Sequence, residues 1–249
     1  MDLRDAIQKV AVEWPSYGRP RITAELRRRG WKVNPKRVYR LMREDNLLCL
    51  RRRKFVVTTD SNHTRKVYPN LARDMILTAT DQLWRADITY IRLRDEFVFL
   101  AVILDAYSRR VIGWALDRTM EDSLTLTALR MALARRAVEP GLVHHSDRGS
   151  QYLAIRYSER LTQAGIEASV GSVGDSYDNA LAETINGLYK AELIRRRGPW
   201  RSLERLELAT LEWVDWFNHR RLLEPIGNIP PAEAEDRYYA TLELPAMAA

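Results

Sequence analysis

The chain is organised around one stretch, Gly171-Ser-Val-Gly-Asp-Ser-Tyr-Asp-Asn-Ala-Leu-Ala-Glu183. It begins as a glycine-rich turn that ends at Asp178 and Asn179, and both of these residue types are good helix N-caps. Residues 180–190 then show helical spacing, so a helix is predicted there. Glu183 is therefore expected in the first turn of that helix, where the backbone holds its carboxylate beside the turn.

Two aspartates upstream accompany short apolar runs that are typical of strands. Asp87 lies in Trp84-Arg-Ala-Asp-Ile-Thr-Tyr90, and Asp147 lies in His144-His-Ser-Asp-Arg-Gly-Ser-Gln-Tyr152. If the two strands adjoin and the helix packs across them, three carboxylates converge. Three like charges repel one another, and a divalent cation relieves that repulsion. Ligands that offer only oxygen suit Mg²⁺ or Mn²⁺, so the predicted chemistry is phosphoryl transfer with two metal ions.

The order and spacing of these motifs resemble a known family. Asp87, Asp147 and Glu183, with 35 residues between the last two, are similar to the D,D(35)E triad of retroviral-integrase-like transposases. The flanking words Trp-x-x-Asp-Ile-Thr-Tyr, His-Ser-Asp-Arg-Gly-Ser-Gln-Tyr and Tyr-Asp-Asn-Ala-x-x-Glu resemble a narrower group. That group is the second-reading-frame product (OrfB) of bacterial insertion-sequence family three, and the resemblance covers most of the chain.

The resemblance implies a fold, an activity and a set of partners. The fold is a ribonuclease-H-like mixed sheet covered by helices, with a small helical domain before it. The implied activity is DNA strand cleavage and strand transfer, in which Asp87, Asp147 and Glu183 bind two Mg²⁺ (or Mn²⁺) ions. The implied partners are element-end and target DNA, further copies of the chain on that DNA, and a first-frame product or frameshift fusion that supplies end recognition.

Two other functions remain open from the sequence. One is a hydrolytic nuclease of the same fold, which would not join strands. The other is a DNA-binding regulator derived from an inactive transposase, although the intact carboxylates argue against it. Asp105 also ends an apolar strand but matches no motif of the family, so a structural or supporting role is predicted for it.

The composition indicates a folded protein. The chain has 249 residues, of which 46% are hydrophobic and 29% charged. Its single cysteine, Cys49, excludes a disulfide framework within one chain. The longest apolar run, Phe97–Leu104, is too short to span a bilayer, and the first residues do not resemble a signal peptide. A cytoplasmic, nucleoid-associated protein without a membrane partner is expected.

Basic residues are concentrated in the first third of the chain. The net charge is +7, yet residues 1–73 carry 19 Lys and Arg against 7 Asp and Glu, while residues 74–249 carry 21 against 26. Such asymmetry is typical of a polyanion-binding module joined to a less charged body. The alternative is an ordinary solvated surface. Most of these cations are arginines, which suit bidentate phosphate contacts and favour the nucleic-acid interpretation.

Three helices are predicted in this basic region, and the third has Asn34 as N-cap and Pro35 in its first turn. A basic third helix indicates a helix-turn-helix-like module, although a small bundle with a wet face fits the same pattern. Lys190, seven residues after Glu183, falls on nearly the same helix face, where it could hold a DNA-end phosphate or simply be solvated. The predicted DNA-binding residues are Lys36, Arg37, Arg40, Arg43, Arg51, Arg52, Arg53, Lys54 and Lys190.

Four segments are predicted along the chain: a helix-turn-helix-like module over 1–50, a basic linker over 51–80, a catalytic core over 81–223 that includes a long C-terminal helix, and a tail over 224–249. Periodicity within the core predicts three consecutive strands followed by alternating helices and strands, which by itself indicates only an α/β fold. One departure from the family concerns Trp216-Phe-Asn-His-Arg-Arg-Leu-Leu223, where Leu223 stands in place of the family's usual histidine. No task of that histidine carries over to this chain.

Overall fold

The computed structural model falls into two compact units. One unit holds the N-terminal helices together with residues 222–229, and the other holds the sheet and the remaining helices. The residues that the structure describes are 2–48, 68–147, 149, 151–152, 154–171 and 180–243.

The N-terminal unit contains three helices, α1 (Leu3–Glu13), α2 (Arg19–Arg28) and α3 (Pro35–Glu44). The predicted start of α3 is confirmed, because the Asn34 side chain accepts a hydrogen bond of 2.9 Å from the Lys36 backbone N–H. Each helix turns an apolar stripe inward, as amphipathic helices of a small core do. The buried side chains are Leu3, Ile7, Val10, Ile22, Leu26, Val38 and Met42.

Residues 222–229 belong to this N-terminal unit and not to the core or a free tail. The Leu222 backbone N–H donates to the buried Tyr17 hydroxyl at 2.9 Å, and Leu223 forms a backbone bridge with Ile229. The sequence predicted a boundary between 223 and 224, and the structure places this segment differently. The contact with Tyr17 spans more than two hundred residues, so no local pattern could have indicated it.

The core is a five-stranded mixed sheet with the order β3-β2-β1-β4-β5. Its strands are β1 (Leu83–Arg92), β2 (Phe97–Asp105), β3 (Val111–Asp117), β4 (Val143–Ser146) and β5 (Glu167–Val170). The first three pair antiparallel, while β4 lies parallel to both β1 and β5. Strand β2 lies between β3 and β1 and is almost fully buried, as suits its continuous apolar sequence.

Helices cover both faces of this sheet, as in α/β folds. Helix α4 (Asp122–Arg135) comes so close to β3 that a Cβ on Gly113 would lie 2.2 Å from the Ala128 carbonyl oxygen. The other helices are α5 (Ile155–Gln163), α6 (Ala180–Tyr189), which continues as a π-helical turn (Lys190–Ile194) into α7 (Arg195–Arg197), then α8 (Leu203–His219) and α9 (Pro231–Glu243). In the part of the chain that is described, no helix is long and apolar enough to cross a membrane.

Helix α9 corrects the expectation of an irregular tail from residue 224. Its Glu235 is 2% exposed and forms ion pairs with Arg110 and Arg136. The Ser108 hydroxyl donates to the same carboxylate at 2.8 Å. Because a buried carboxylate is stable only when it is paired and hydrogen-bonded, these contacts anchor the helix to the core. The partners of Glu235 lie far away in the sequence, so the local pattern after residue 224 did not indicate this helix.

The predicted linker over 51–80 is described only from residue 68. Beyond that point the chain packs on the sheet, where the Leu71 N–H donates to the Ser169 hydroxyl at 2.9 Å. Ala72 is 5% exposed and packs with Leu83 and Val143. The stretch from 69 to 80 is therefore part of the core surface and not a free connection.

Candidate active site

Strand pairing brings the two predicted aspartates to one edge of the sheet. The last residue pair between β1 and β4 joins Ala86 to Ser146. Asp87 and Asp147 each follow that pair by one residue. Asp87 lies within β1, which continues to Arg92, whereas Asp147 directly follows the end of β4. Because β1 and β4 run parallel and in register up to that pair, the next residue of each lies at the same level, and the two residues become neighbours.

The surroundings of Asp87 disfavour its ionised form. Although part of the residue is exposed, desolvation of the carboxylate is the largest cause that raises its pKa to about 7. The negative charge of Asp147 is the second cause, and that of Glu183 adds to it. The Asn186 amide donates to Oδ2 of Asp87 at 2.8 Å and acts in the opposite direction. This carboxylate therefore senses both of the other predicted members of the triad.

Asp147 is held by the turn that follows it. Its pKa is raised by burial, and the N–H of Gly149, which donates to Oδ1 at 3.0 Å, opposes that rise. A Cβ at residue 149 would lie 2.9 Å from the same oxygen. Glycine therefore suits position 149 of the Asp-Arg-Gly motif, because the backbone approaches the Asp147 carboxylate closely.

Glu183 lies in the first turn of α6, as predicted. The helix packs on β1 and β2, with Ala182 and Ile185 buried, and Tyr189 at its end contacts Thr210 and Trp213 of α8. The Glu183 carboxylate is close enough to Asp87 for its charge to act there. Among the residues that the structure describes, no three acidic, histidine or cysteine side chains form a group able to hold a metal ion. The charges of Asp147 and Glu183 each act on Asp87, and like charges resist closer approach unless a cation neutralises them.

Comparisons with known proteins identify the family of the chain. Residues 78–176 and 164–231 match families described as integrase core domain, and residues 1–55 match an HTH-like domain. The chain is 46% identical over 252 residues to a putative transposase for insertion sequence element IS986/IS6110 of Mycobacterium tuberculosis, a match that covers 98% of this chain and 91% of that protein. This chain belongs to the insertion-sequence transposases. A second relative, transposase InsF for insertion sequence IS3A of Escherichia coli, is 33% identical over 226 residues, covering 90% of this chain and 78% of InsF.

A solved structure shows the same fold for the core of the transposase. The catalytic core domain of HTLV-2 integrase, in complex with magnesium, aligns with a TM-score of 0.52 over 64% of this chain and 98% of that one, at 18% identity. The predicted ribonuclease-H-like architecture, with a helical domain before it, is confirmed. The chain is accordingly a transposase of the DDE type, an enzyme of the polynucleotidyl transferase class.

Asn186 is a site residue whose role the sequence did not indicate. Its side chain is 4% exposed and donates to Asp87. Its other amide atom, Oδ1, is buried with no hydrogen-bond partner in the part of the chain that is described. Asn186 follows Glu183 by three residues, so the two side chains are neighbours on the helix surface. This spacing is the sequence feature that could have identified Asn186 as a site residue.

Tyr152 is a second site residue whose role the sequence did not indicate. Its hydroxyl is buried and makes no hydrogen bond to any described residue. Burial raises the pKa of this phenol, and the charges of Asp147 and Asp87 add to the effect. Tyr152 therefore lies close enough to both aspartates to be affected by their charges. Buried tyrosine hydroxyls usually find a hydrogen-bond partner, so this hydroxyl is a polar group of the site that is available to a bound molecule.

The other polar residues near the site have structural partners. His145 is fully buried with Nδ1 at 2.9 Å from the Ser169 hydroxyl, and His144 Nε2 lies 2.8 Å from the Tyr157 hydroxyl. Burial lowers the pKa of His144 to about 3, so that imidazole stays neutral. Asp105, which accepts hydrogen bonds from Ser108, has the structural role predicted for it.

The predicted DNA-binding residues are distributed over both units. Lys36, Arg37, Arg40 and Arg43 are exposed on α3. Lys190 is partly buried in the π-helical turn, where burial lowers the pKa of its ammonium group and the charge of Asp87 opposes that effect. Arg51, Arg52, Arg53 and Lys54 lie outside the described residues.

Proposed function

We propose that this transposase cleaves and joins DNA strands with Asp87, Asp147 and Glu183 as the three carboxylates of its active site. The observation that carries the proposal is the pairing of β1 with β4, after whose last residue pair Asp87 and Asp147 come next. The raised pKa of Asp87, whose causes include the charges of both other residues, supports it. A carboxylate cluster of this kind is costly without a cation. It is therefore a functional candidate and not a feature that stabilises the fold.

The donor atoms of this cluster fit divalent magnesium or manganese. All three side chains offer carboxylate oxygens, and the unpaired amide oxygen of Asn186 adds a neutral oxygen beside Asp87. Hard cations such as Mg²⁺ prefer oxygen ligands. When bound, two such ions supply the positive charge that activates an attacking oxygen and stabilises a leaving oxygen. The residues that would hold them are Asp87, Asp147 and Glu183.

Basic side chains of both units would orient the DNA. Lys190 lies close enough to Asp87 to sense its charge, which supports contact between its ammonium group and a phosphate at the strand end. The exposed cations of α3 would contact the backbone of the duplex, because phosphate contacts position a protein without reading sequence. Arg51, Arg52, Arg53 and Lys54 extend the basic region by sequence and remain candidates for the same role.

The joining of element ends to a target requires that more than one end be held at once. We infer that the chain works as a homo-oligomer on DNA and receives end recognition from a first-frame product or frameshift fusion. The support is the modest size of the helical unit, which offers two short basic helices, α2 and α3, for DNA contact among its described residues. On its own the chain is expected to bind terminal repeats weakly and with little specificity, as a footprint would reveal.

The test is a cleavage and joining assay with a labelled element-end duplex and Mg²⁺. Wild type is compared with Asp147→Asn, which keeps the side-chain shape and removes the charge. The expected result is that wild type cleaves and joins, whereas the variant does neither and still binds DNA. Removal of Mg²⁺ with a chelator is expected to abolish both reactions of wild type.

A matched control is Asp117→Asn, at the end of β3 away from the cleft. It is expected to cleave and join like wild type. Equal activity of wild type and Asp147→Asn would disprove the assignment of the triad. Cleavage by wild type without any joined product would identify a nuclease instead.

A further inference from the structure

An exposed row of aromatic and basic side chains lies beside the carboxylate cleft. The Lys190 ammonium group is 4.5 Å from the centre of the Tyr90 ring. The Tyr90 ring meets Phe97 edge to face at 6.1 Å, and the Arg92 guanidinium group is 5.4 Å from the centre of the Phe97 ring. We call these four residues, Lys190, Tyr90, Phe97 and Arg92, the aromatic row.

The strand register explains why these side chains form a continuous row. Arg92 pairs directly with Phe97 across β1 and β2, so both point to one face of the sheet, and Tyr90, two residues before Arg92, points to the same face. The pairing of β1 with β4 ends at Ala86, which lets Lys190 reach Tyr90 past that edge. Lys190 thereby connects the row to Asp87, whose charge it also senses.

The two rings are unusually accessible for their size. Tyr90 is 42% exposed and Phe97 is 47% exposed. By contrast, Phe217 on α8 is fully buried. A single exposed apolar residue needs no explanation, but a contiguous apolar surface bounded by cations marks an interaction site. The alternation of positive charge and aromatic ring is the arrangement that binds a single nucleic-acid strand, because cations meet phosphates and rings stack on bases.

We propose that the aromatic row binds unpaired nucleotides of the DNA strand that enters the carboxylate cleft, with Tyr90 and Phe97 stacking on bases and Arg92 contacting phosphate. Asp87 lies three positions before Tyr90 in β1, so strand alternation directs the two side chains to opposite faces. Lys190 connects them, because its ammonium group contacts the Tyr90 ring and interacts with the charge of Asp87. Paired bases hide their faces inside the duplex, so the row favours a strand that has separated from its partner.

This inference rests on the proposed function for the identity of the strand, but its test does not require catalysis. The full chain is titrated, in EDTA, into a DNA duplex that carries an unpaired 3′ extension with 2-aminopurine as its reporter base, and into the blunt duplex of the same sequence. Fluorescence of 2-aminopurine reports stacking, and fluorescence anisotropy gives the Kd. Wild type is expected to quench the reporter and to bind the extended duplex more tightly than the blunt one.

Tyr90→Ala is expected to abolish the quenching and to weaken binding of the extended duplex by about 5- to 100-fold, the range for loss of one base–aromatic stack. Tyr90→Phe keeps the ring and is expected to retain both signals. Arg92→Ala is expected to lower the salt dependence of binding by about one phosphate contact. The matched control is Tyr239→Ala, whose ring on α9 has a similar exposure of 43% and lies near Thr80, before β1 begins.

Two results would overturn the proposal. One is equal binding of blunt and extended duplexes by wild type, and the other is quenching by Tyr90→Ala as strong as that by wild type. Phe97→Ala provides a second test in case Tyr90→Ala does not fold. The proposed function can fail separately: if Asp147→Asn still joins strands while Tyr90→Ala loses stacking, the triad is wrong and the aromatic row stands.

Discussion

Replacement of Asp87 by Asn should stabilise the metal-free protein at alkaline pH. The wild-type carboxylate has a pKa of about 7 in the fold, whereas an aspartate in the unfolded chain titrates near ~3.9. Between these values the folded state holds a proton that the unfolded state has released. The stability from this proton is thus fully present below about pH 4 and is lost as the pH rises through about 7.

The magnitude follows from the same two pKa values. One pKa unit corresponds to about 1.4 kcal/mol. From about pH 5 to about pH 8 the wild-type protein should therefore lose at most about 2–3 kcal/mol relative to Asp87→Asn, which has no proton to release. Asn keeps the shape of Asp and removes the repulsion from Asp147 and Glu183, so the fold is expected to persist.

The assay is urea denaturation of both proteins in EDTA at several pH values, with Asp117→Asn as a control that should follow wild type. At about pH 8, added Mg²⁺ should raise the unfolding midpoint of wild type and have a smaller effect on Asp87→Asn. Parallel pH profiles for wild type and Asp87→Asn would refute the reasoning. So would an equal response of the two proteins to Mg²⁺.

Three further predictions concern the structure around the site. Glu192→Gln should lower the free energy of unfolding by about 3–5 kcal/mol in urea denaturation, because it removes the buried negative charge that pairs with the guanidinium group of Arg221, which is 2% exposed. Gly113→Ala should cost about 1–3 kcal/mol in the same measurement, since the new methyl group would meet the Ala128 carbonyl oxygen at 2.2 Å. Glu235→Gln should weaken the anchoring of α9 and speed its removal by a protease, which gel electrophoresis over time would follow.

Each of these changes has a control in the chain. Glu212→Gln disrupts an exposed pair with Arg197 and should cost no more than about 1 kcal/mol. Gly187→Ala adds a methyl group that meets no described atom within 4 Å, so it should be neutral or stabilising. Glu233→Gln, in the exposed pair with Arg237, should leave proteolysis unchanged. If a control and its partner behave alike, burial is not the cause of the effect.

Much of the core was predictable because its signals are local. Strand β2 is a continuous apolar run that is almost fully buried. Helix α3 begins after Asn34, a residue type that commonly serves as an N-cap. Glu183 falls in the first turn of α6 for the same reason. Such features depend on residues a few positions apart, which is the range over which periodicity and capping act.

The features that were missed depend on distant contacts. Helix α9 is anchored by Glu235 to arginines more than ninety residues away in sequence, and residues 222–229 join the N-terminal unit through Tyr17. The contact of Asn186 with Asp87 spans a similar separation. Charged and amide residues at such positions have no periodicity that distinguishes them from solvated surface.

The sequence by itself determined the family, the α/β class and the identity of the three candidate carboxylates, because the motifs carry their own order and spacing. Only the tertiary structure decided that Asp87 and Asp147 come directly after the last residue pair between the parallel strands β1 and β4, and that the exposed rings of Tyr90 and Phe97 contact each other. The physical reason is that strand register and burial arise from pairing between distant segments. A side chain acquires its solvation, charge environment and neighbours from that pairing.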